Sequence, residues 1–391
     1  MDLKEHIRNL GDFGYARPPG SANEKAAAGY LQEQFGILGL EVGKIQFPVL
    51  QAYSWFYALN YFLYLLAVML FPARPIYAVF LTALATMFLR LDLYIWPTIS
   101  RLLAFRGNSQ TILGIKKAYE ETRHTVLLTV SMDSRKGYYL SAGLRSWIIR
   151  LEYISGVLRS FQLLFLLAGS ILARFSLVFW VRLTWMATWP GAILLWLLFY
   201  LELRRWLNGS WHSTVNDNDS SLALLLGVAE TLKEQPFQHC DVVLAALGGD
   251  RDASLGMHNL LSGPYADWQK DVDIINLEAV GGGKLRLLSR EGLSRPIPAQ
   301  EELLDLGELI AENFETELLI SEKATKRTSA AVARSKGFSA ITLVGLDKDG
   351  LPCNFTQTRN RQEKFDLIEE ERLQSVRNFV LKMIALIDHQ L

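Results

Sequence analysis

The sequence predicts an α/β fold, with a mostly parallel mixed sheet flanked by helices and four transmembrane helices inserted as two hairpins. Helix-like and strand-like hydrophobic patterns alternate after Asp219, which is typical of a parallel sheet covered by helices. Aromatic and aliphatic residues concentrate between residues 52 and 97 and between 153 and 203, and the rest has a soluble composition. These patterns predict one discontinuous soluble domain, residues 1–51, 98–150 and 206–391, and two membrane hairpins, residues 52–97 and 151–205.

The composition argues against several classes of function. Lys plus Arg and Asp plus Glu number 40 each, so no bulk charge indicates a nucleic-acid partner. Cys240 and Cys353 are too few for a disulfide framework or a thiolate metal site. The first 20 residues carry charges from the start and contain no apolar core, so they do not resemble a secretory signal. Segments that enter a membrane are therefore expected to be internal.

The first soluble segment is expected to contain a helix followed by a strand. Residues 23–38 place their apolar side chains on one helical face, and Gly39 follows as a stop signal. Residues 41–50 then alternate between apolar and polar side chains, as a half-buried strand does.

The first membrane hairpin is predicted from two apolar runs. Residues 52–71 contain no charge and are long enough to cross about 30 Å of hydrocarbon at 1.5 Å per residue. Residues 72–75 contain two prolines and predict a turn, and residues 76–96 form the second run. Arg90 and Asp92 lie near its end, where they are expected to reach toward the interface or pair with each other.

The second hairpin follows two predicted buried strands, residues 111–115 and 125–130. Residues 147–158 are amphipathic and are expected to lie on the membrane surface before the chain inserts. Residues 161–173 and 183–203 are the apolar cores of the hairpin, and their exact ends are ambiguous.

Two hairpins return the chain to the same side of the membrane, so all soluble segments can belong to one domain. The arginines near the membrane ends on that side outnumber those in the opposite turns, and this bias predicts a cytoplasmic location. The protein is thus expected to be an integral, multi-pass membrane protein. The first group is Arg101, Arg106, Arg145, Arg150, Arg159, Arg204 and Arg205, and the second is Arg74, Arg174 and Arg182.

A polar stretch, residues 211–221, separates the second hairpin from the rest of the soluble sequence. Its Asn, Asp and Ser side chains are typical of a turn that caps a helix N-terminus. Alternatively, Asp217 within it is directed at a ligand. The elements predicted after it are helices at 220–233, 301–314, 329–335 and 366–389 and strands at 241–247, 273–278, 284–288, 317–320 and 340–344.

Polar residues recur where the predicted strands end. Ser131 and Asp133 follow one strand, Asp250-Arg251-Asp252 follows another, and Glu278 ends a third. Ligands of open α/β sheets bind outside the carboxyl ends of the strands. These residues, together with Asp217, are therefore candidates for one site.

Four local phrases in this order resemble the zinc aminopeptidases of the M28 peptidase family. They are Gly20-Ser21-Ala22-Asn23, Asn216-Asp217-Asn218-Asp219-Ser220, Ile275-Asn276-Leu277-Glu278 and Glu363-Lys364-Phe365-Asp366. The resemblance covers about residues 10–50, 107–140 and 210–390, with the membrane hairpins as insertions.

The resemblance implies roles for particular residues. In that family a strand ends in His-x-Asp, whose His binds zinc and whose Asp orients it, and Ser131 and Asp133 occupy these positions here. The bridging metal carboxylate falls on Asp217. The general base and the carboxylate ligand that follows it fall on Asp250 and Arg251.

Two more ligand positions complete the implied set. Glu278 stands where the family has an Asp ligand, and the last His ligand falls near Thr356, judged by its spacing from the phrase at 363–366. Two His ligands are therefore replaced, and Arg251 places a permanent cation at a carboxylate position. We expect no cofactor, with an ion-pair network centred on Arg251 that compensates Asp217 and Glu278 in place of the metal ions.

Other residues leave alternatives open. His212 and His258 could supply replacement ligands, although a lone His is more often a structural or surface residue. A Ser-His-Asp arrangement of Ser131, His212 and Asp133 lacks the Gly-x-Ser-x-Gly pattern of a nucleophile elbow. Residues 281–283, three glycines, are interpreted as a hairpin turn and not a phosphate loop, because a strand pattern follows them.

Three classes of function remain open. The favoured one is a catalytically inactive, membrane-anchored protein that acts as an interaction or assembly subunit. Its expected partners are the lipid bilayer, other membrane-protein subunits and a peptide end in the former substrate cleft.

The second class is an active membrane-bound metallo-aminopeptidase with an atypical zinc site. That site would combine Asp217 and Glu278 with some of Asp133, Asp250, Asp252 or His212. The third is a transport path through the membrane helices. Its only candidate charges, Arg90, Asp92, Arg159 and Glu202, lie near the predicted interfaces, so anchoring is favoured over transport.

Overall fold

The computed structural model describes most of the chain and divides it into two compact units. We call Met1–Gln51, Trp96–Arg135 and Trp211–Leu391 the sheet unit, and Ala52–Ile95 and Lys136–Ser210 the helical unit. These units are compact parts of the folded structure. The domain limits predicted from the sequence refer to parts that fold independently, and they stay a prediction. The described residues are 2–14, 16–50, 53–90, 107–137, 142–211, 215–252, 254–263, 265–266, 271–292, 296–313, 318–321, 328–346 and 365–390.

The described residues form helices and strands close to the predicted positions. The α-helices are α1 (Leu3–Asp12), α2 (Ala22–Ile37), α3 (Ser54–Leu70), α4 (Pro75–Arg90), α5 (Ala142–Arg174), α6 (Val178–Ala187), α7 (Trp189–Asn208), α8 (Ser220–Glu234), α9 (Leu255–Leu260), α10 (Glu301–Asn313), α11 (Ser329–Ser335) and α12 (Glu370–His389). The strands are β1 (Glu41–Pro48), β2 (Asn108–Lys116), β3 (His124–Ser131), β4 (Lys136–Gly137), β5 (Ser210–Trp211), β6 (Cys240–Leu247), β7 (Val272–Glu278), β8 (Lys284–Leu288), β9 (Arg290–Glu291), β10 (Ile297–Pro298), β11 (Leu318–Ser321) and β12 (Ser339–Leu346).

An eight-stranded mixed sheet organises the sheet unit, in the order β1-β2-β6-β3-β7-β12-β8-β11. The four central strands β6, β3, β7 and β12 are parallel, whereas β2 runs antiparallel to β6 and β8 runs antiparallel to β12. The predicted α/β class with a mostly parallel, mixed sheet is confirmed. All four central strands end at the same edge of the sheet, which places their carboxyl ends together.

The register brings the predicted strand ends level with one another. Ser131 pairs with Leu247 of the neighbouring strand β6. On the other side of β3, Thr129 pairs with Asn276. Ser131 and Glu278 each lie two residues beyond that pair, so the sheet itself brings them together.

The three glycines at 281–283 do not form the predicted hairpin. Strands β7 and β8, which flank them, are separated in the sheet by β12. The loop crosses the end of β12, where a Cβ at Gly345 would lie 2.1 Å from the Gly282 carbonyl oxygen and 2.4 Å from that of Ala279. Sequence spacing cannot reveal this crossing, because β12 enters the sheet from a segment about 60 residues later.

The N-terminal region contains a helix, α1, that the sequence interpretation missed. The predicted helix that follows it is confirmed as α2. The Ser21 hydroxyl accepts a hydrogen bond from the Glu24 amide, and Gly39 has a φ of +75° directly after the last turn. The phrase that begins at Gly20 is therefore a helix N-cap.

The core of the sheet unit is formed by the sheet and helices α1, α2, α8, α10 and α12. Helix α8 is the most buried of these. Eleven of its residues are inaccessible, because its Leu and Ala side chains face the core on nearly all sides. It begins directly after a π-helical turn, Val215–Asp219, and this continuity fixes the position of the polar stretch at the sheet edge.

In the helical unit, buried side chains of α3 and α4 form two clusters, one with α7 and one with α5. Polar groups also join its helices. The Asn60 amide donates to the Ala85 carbonyl oxygen at 2.9 Å, and the Gln162 amide donates to the Tyr64 carbonyl oxygen at 3.1 Å. The Trp185 indole donates to the Val68 carbonyl oxygen at 2.9 Å.

Two described segments are long and apolar enough to cross a membrane, not the four that the sequence predicts. They are Ile154–Arg174 and Val178–Asn208. The apolar helices Ser54–Leu70 and Pro75–Phe88 are shorter, at 10–17 residues. The predicted spans at 52–71 and 76–96 included residues 52 and 91–96, which lie outside the described residues.

Candidate functional site

The candidate site lies where strands β3, β6 and β7 end at the carboxyl edge of the sheet. Ser131 ends β3, Glu278 ends β7, and Asp250 follows β6 after two glycines. Gly248 is required there, because a Cβ would lie 2.3 Å from the Gln110 carbonyl oxygen and 2.8 Å from Glu24 Oε1. This close packing brings the loop that follows β6 against the ends of the neighbouring strands.

Asp250, at the predicted general-base position, is held by hydrogen bonds on both carboxylate oxygens. Its Oδ2 accepts from the hydroxyls of Ser131, at 3.0 Å, and Ser329. Its Oδ1 accepts from the Met257 amide at 3.0 Å. Burial raises the pKa of Asp250 to about 6, although these hydrogen bonds favour the charged form. The Ser131 hydroxyl donates its proton to Asp250 and so helps to hold the Asp250 carboxylate in place.

Asp133, which the resemblance assigns to an orienting carboxylate, accepts its hydrogen bonds from backbone amides. Its Oδ1 accepts from the Asp250 amide at 2.8 Å, and both oxygens accept from the Arg251 amide at 3.2 Å. Burial raises the pKa of Asp133 well above its usual range, with the charges of Glu24 and Asp250 adding to the effect. Asp133 therefore fixes the loop that carries residues 250 and 251.

Arg251 forms the ion pair expected with Glu278. Its Nη1 lies 3.2 Å from Glu278 Oε2, and both side chains are 7% exposed. Burial lowers the pKa of Arg251, and the charge of Glu278 opposes that shift. An arginine remains charged under these conditions, so a cation occupies the end of β7.

The position of Glu278 is supported by a row of polar side chains across the central strands. Asn276 donates to Glu278 Oε1 at 3.4 Å and to the Thr342 hydroxyl at 3.2 Å. Thr129 in turn donates to the Asn276 side-chain oxygen at 3.1 Å. Thr129, Asn276 and Thr342 lie on the neighbouring strands β3, β7 and β12, so their hydrogen bonds fix the direction of the Glu278 carboxylate across the sheet.

The turn that contains Asp217 is held from both sides. Its backbone belongs to the π-helix Val215–Asp219, and its side chain lies outside the described part of the chain. Asn218 donates to the Asp133 carbonyl oxygen at 2.5 Å. Asp219 makes no side-chain cap to helix α8 but forms a fully buried ion pair with Arg17. The predicted capping role of this stretch is therefore wrong for Asp219, because a buried arginine competes for its carboxylate.

Glu24 is a buried member of the site region that the sequence interpretation missed. Its Oε1 accepts from the Ser109 hydroxyl at 2.8 Å and the Gly249 amide at 3.1 Å. Its Oε2 accepts from the Gly20 amide at 2.6 Å. Burial raises the pKa of Glu24 to about 7. The Ser-x-x-Glu spacing from Ser21 was the available signal.

A further arginine supports the loop after β6. Arg135 donates to the Arg251 carbonyl oxygen at 2.9 Å, and its Nε lies 3.2 Å from Asp252 Oδ1. Arg17 and Arg135 were also missed, since neither stands in a recognisable motif. Their roles arise from partners that are distant in the sequence.

Some predicted site residues have no described position. Thr356, His212 and Cys353 lie outside the described residues, as do Glu363 and Lys364 of the last phrase. His258, the other candidate replacement ligand, is buried within helix α9. Of the possible catalytic triad Ser131, His212 and Asp133, the structure therefore describes only Ser131 and Asp133. Ser131 donates to Asp250 there, not to a histidine.

The described residues do not fit a zinc site. Within the ranges that the structure describes, no group of three or more His, Cys, Asp or Glu side chains is arranged to hold a metal ion. The available donors are also engaged elsewhere: Glu278 with Arg251, Asp252 with Arg135, and Asp250 with two serine hydroxyls. A guanidinium beside the carboxylates repels a divalent cation, whereas zinc sites require several free N, S or O donors.

The fold is similar to solved hydrolases and cyclases over nearly its whole length. A zinc aminopeptidase from Bacillus subtilis matches with a TM-score of 0.56 and 12% identity, covering 98% of this chain and 93% of that one. A leucine aminopeptidase precursor from Bacteroides thetaiotaomicron matches with 0.56 and 14%, covering 98% and 96%. A glutaminyl cyclase from Tannerella forsythia matches with 0.58 and 12%, covering 98% and 97%.

No protein-family model matches the sequence, and no curated protein does. Identities this low establish the fold and not the activity. The chain therefore shares the fold of these two aminopeptidases and of this glutaminyl cyclase.

Proposed function

We propose that this protein is a membrane-anchored, non-catalytic relative in fold of the zinc aminopeptidases, and that it acts as an interaction or assembly subunit. The observation that carries the proposal is the buried ion pair between Arg251 and Glu278. It occupies two of the positions where the resemblance to the M28 family expects metal-binding carboxylates.

The chemistry of this pair opposes metal binding. A carboxylate that is paired with a guanidinium has lost much of its attraction for Zn²⁺, and the metal would also have to approach the fixed positive charge. Removing one member leaves the other charge buried and uncompensated, so the pair is expected to persist in the folded state. Ser131 and Asp133 are likewise committed to hydrogen bonds within the protein.

Membrane anchoring is supported by where exposed apolar side chains lie. Of the 33 exposed large hydrophobic residues in the described ranges, 28 belong to the helical unit. The five others are Ile37, Val42, Tyr119, Leu309 and Leu367. Exposure on this scale is unusual in water and is expected for surfaces that face lipid or another subunit.

The two long apolar segments are also poorly buried. Only 17% of the apolar window of Ile154–Arg174 and 28% of that of Val178–Asn208 is buried within the protein. The core helix of a soluble protein is covered by its neighbours, whereas these helices leave most of their surface uncovered. Gln162 of the first segment and Trp185 of the second each donate to a backbone carbonyl oxygen of helix α3, and such interhelical hydrogen bonds also join helices in lipid.

We propose that these two segments cross the membrane, with the shorter apolar helices α3 and α4 packed against them, and that the sheet unit lies on the cytoplasmic side. The partners in this proposal are the bilayer and other membrane-protein subunits. The cleft at the carboxyl edge of the sheet would bind a peptide end without cleaving it, because its carboxylates remain oriented while the metal ligands are replaced.

A combined metal and activity measurement tests the catalytic part of the proposal. The full chain, purified in mild detergent, should contain far less than one zinc per molecule by elemental mass spectrometry. It should not cleave a panel of aminoacyl substrates or cyclise an N-terminal glutamine. Stoichiometric zinc, together with chelator-sensitive turnover that is lost in Asp217→Asn, would establish the active metallo-aminopeptidase instead.

A fractionation measurement tests the anchoring part separately. The full chain should remain with membranes after alkaline carbonate extraction and be released by detergent. Labelling of Cys353 from the cytoplasmic side only, with Cys240→Ser as the background, would support the expected orientation. Release by carbonate alone would contradict anchoring, whatever the metal content.

A further inference from the structure

Arg159 occupies an unusual place in the helical unit, because it is a charged side chain within a segment that is long and apolar enough to cross a membrane. The segment runs over Ile154–Arg174, and helix α5 continues unbroken through it. Ionisable residues inside such segments are rare and generally have a functional or anchoring reason.

The guanidinium of Arg159 is directed back toward the start of the segment. Its Nε donates to the Ser155 carbonyl oxygen at 3.2 Å, and its Nη2 lies 3.5 Å from where a Cβ at Gly156 would be. The charge therefore lies level with residues 155–156, roughly 2–3 Å inside the first residue of the apolar segment at 1.5 Å per residue. If this segment crosses a bilayer as proposed, its first turn lies at the boundary between the hydrocarbon and the headgroups.

Two tyrosine rings of helix α3 hold the guanidinium in this place. Its central carbon lies 5.7 Å from the centroid of the Tyr61 ring and 6.0 Å from that of Tyr64. Both tyrosines are buried, and the Gln162 amide ties the Tyr64 backbone to helix α5. Cation–π contacts fix the plane of an arginine without using its N–H donors, so these donors stay available to a ligand.

The charge of Arg159 has no counter-ion in the protein as far as it is described. Across the described ranges, no carboxylate oxygen lies within salt-bridge distance of it, and its one hydrogen bond is to the Ser155 carbonyl oxygen. By comparison, Arg205 on helix α7 has Glu202 of the same helix at 3.5 Å. An oriented guanidinium without a carboxylate matches the geometry of a phosphate, which accepts two parallel hydrogen bonds.

We propose that Arg159, positioned by Tyr61 and Tyr64, binds the phosphate of a phospholipid headgroup. The inference rests on the proposed membrane anchoring and adds a specific lipid site to it. The site selects its ligand by the phosphate, which pairs with Arg159. It also selects by the depth of Arg159 in the bilayer, because the headgroup must reach Arg159 while the acyl chains extend along the exposed apolar surface of α5. Bound lipid would thereby fix the depth of this helix in the membrane.

Lipid binding to the delipidated full chain in nonionic detergent tests this site. The probes are dioleoylphosphatidylglycerol, dioleoylglycerol, which has the same chains without phosphate, and inorganic phosphate. Native mass spectrometry measures the bound lipid, and the thermal midpoint reports its effect on stability. The unmodified protein should bind the phospholipid and be stabilised by it, and neither other probe should do so.

Three variants distinguish the contribution of Arg159 to phospholipid binding from the effect of positive surface charge in general. Arg159→Gln should weaken phospholipid binding by roughly tenfold, the loss expected for one charge-assisted pair of hydrogen bonds. Arg159→Lys, which keeps the charge, should show an intermediate loss and guards against a folding defect. Arg174→Gln is the matched control, because Arg174 is an exposed arginine at the other end of the same apolar segment.

Several outcomes would overturn the inference. Equal binding by Arg159→Gln and the unmodified protein would remove Arg159 from the site. Equal binding of dioleoylglycerol would show that only the chains matter, and a response to inorganic phosphate alone would assign the site to a free anion. If carbonate extraction retains the protein in membranes while one of these results is found, the lipid site fails and the anchoring stands. Release by carbonate would instead remove the basis of both.

Discussion

Arg251 and Glu278 form a buried ion pair at the carboxyl edge of the central sheet, with 3.2 Å between Nη1 and Oε2. The pair joins the loop after β6 to the end of β7, although strand β3 lies between these two strands in the sheet. It thus closes over the end of β3, next to Ser131 and Asp133. Four testable consequences follow from this arrangement and from the buried carboxyl groups around it.

Breaking the ion pair on one side is expected to be strongly destabilising. Arg251→Met or Glu278→Gln alone should lower the free energy of unfolding by about 3–5 kcal/mol, because the remaining group stays buried and loses its partner. The double variant should lose clearly less than the sum of the two single losses. Denaturant titration of the full chain in detergent micelles measures this.

The Lys117–Asp241 pair provides the control for that cycle. Its distance is 2.7 Å, but the Lys117 side chain is 65% exposed. Lys117→Ala should therefore cost less than about 1 kcal/mol. Purely additive single and double losses at 251 and 278 would contradict the assignment of a coupled buried pair.

Reversing the charge at position 251 should create an affinity for divalent metal ions. Arg251→Glu places a third carboxylate close to Glu278 and Asp250, so the variant should unfold at a lower temperature in the presence of a chelator. Added zinc should raise its melting temperature and leave that of the unmodified protein nearly unchanged. Arg251→Gln is the control, and an equal zinc response in it would indicate binding elsewhere.

Asp133 is expected to act as a hydrogen-bond acceptor and not as a required charge. Asp133→Ala leaves the amides of Asp250 and Arg251 without their acceptor and should cost roughly 2–4 kcal/mol of unfolding free energy. Asp133→Asn keeps one acceptor oxygen and should cost less, because burial raises the pKa of Asp133 and already favours its neutral form. Equal losses in the two variants would show that the charge itself is needed.

The buried carboxyl groups predict that stability falls as pH rises through the weakly acidic range. Burial raises the pKa of Asp250 from 3.8 to about 6 and that of Glu24 from 4.5 to about 7. The folded state therefore binds more protons than the unfolded state between these values, and the stabilisation is complete at low pH. It should be lost as pH rises from about 4 to about 7, by roughly 1.4 kcal/mol for each unit of pKa difference.

Glu24→Gln should reduce this dependence, measured as the difference in unfolding free energy between pH 5 and pH 8. The control is Glu33→Gln, which changes an exposed carboxyl on the same helix. Asp241 and Asp388 act in the opposite direction. Burial raises the pKa of each, but hydrogen bonds outweigh it and hold the pKa below its usual value: from Lys117, Thr122 and a backbone amide for Asp241, and from three backbone amides for Asp388. Their contribution is lost below about pH 4, so the two effects occupy different pH ranges.

The sequence by itself determined the periodic features of this protein. Strands such as residues 125–130 and 241–247 are mostly apolar runs, and helix α2 carries its own start and stop signals at Ser21 and Gly39. Such features depend on neighbouring residues along the chain, so local physics suffices to predict them. The order of polar strand ends was also sufficient to place Arg251 beside Glu278, since parallel strands share an edge.

Tertiary structure alone decided the partners that are far apart in sequence. Asp219 binds Arg17, 202 positions away, where local patterns predicted a helix cap, and Glu24 contacts the loop after β6. The crossing of the 281–283 loop over β12 belongs to the same class, because strand order in the sheet differs from chain order. These contacts depend on which surfaces meet when the core closes, and no short stretch of sequence contains that information.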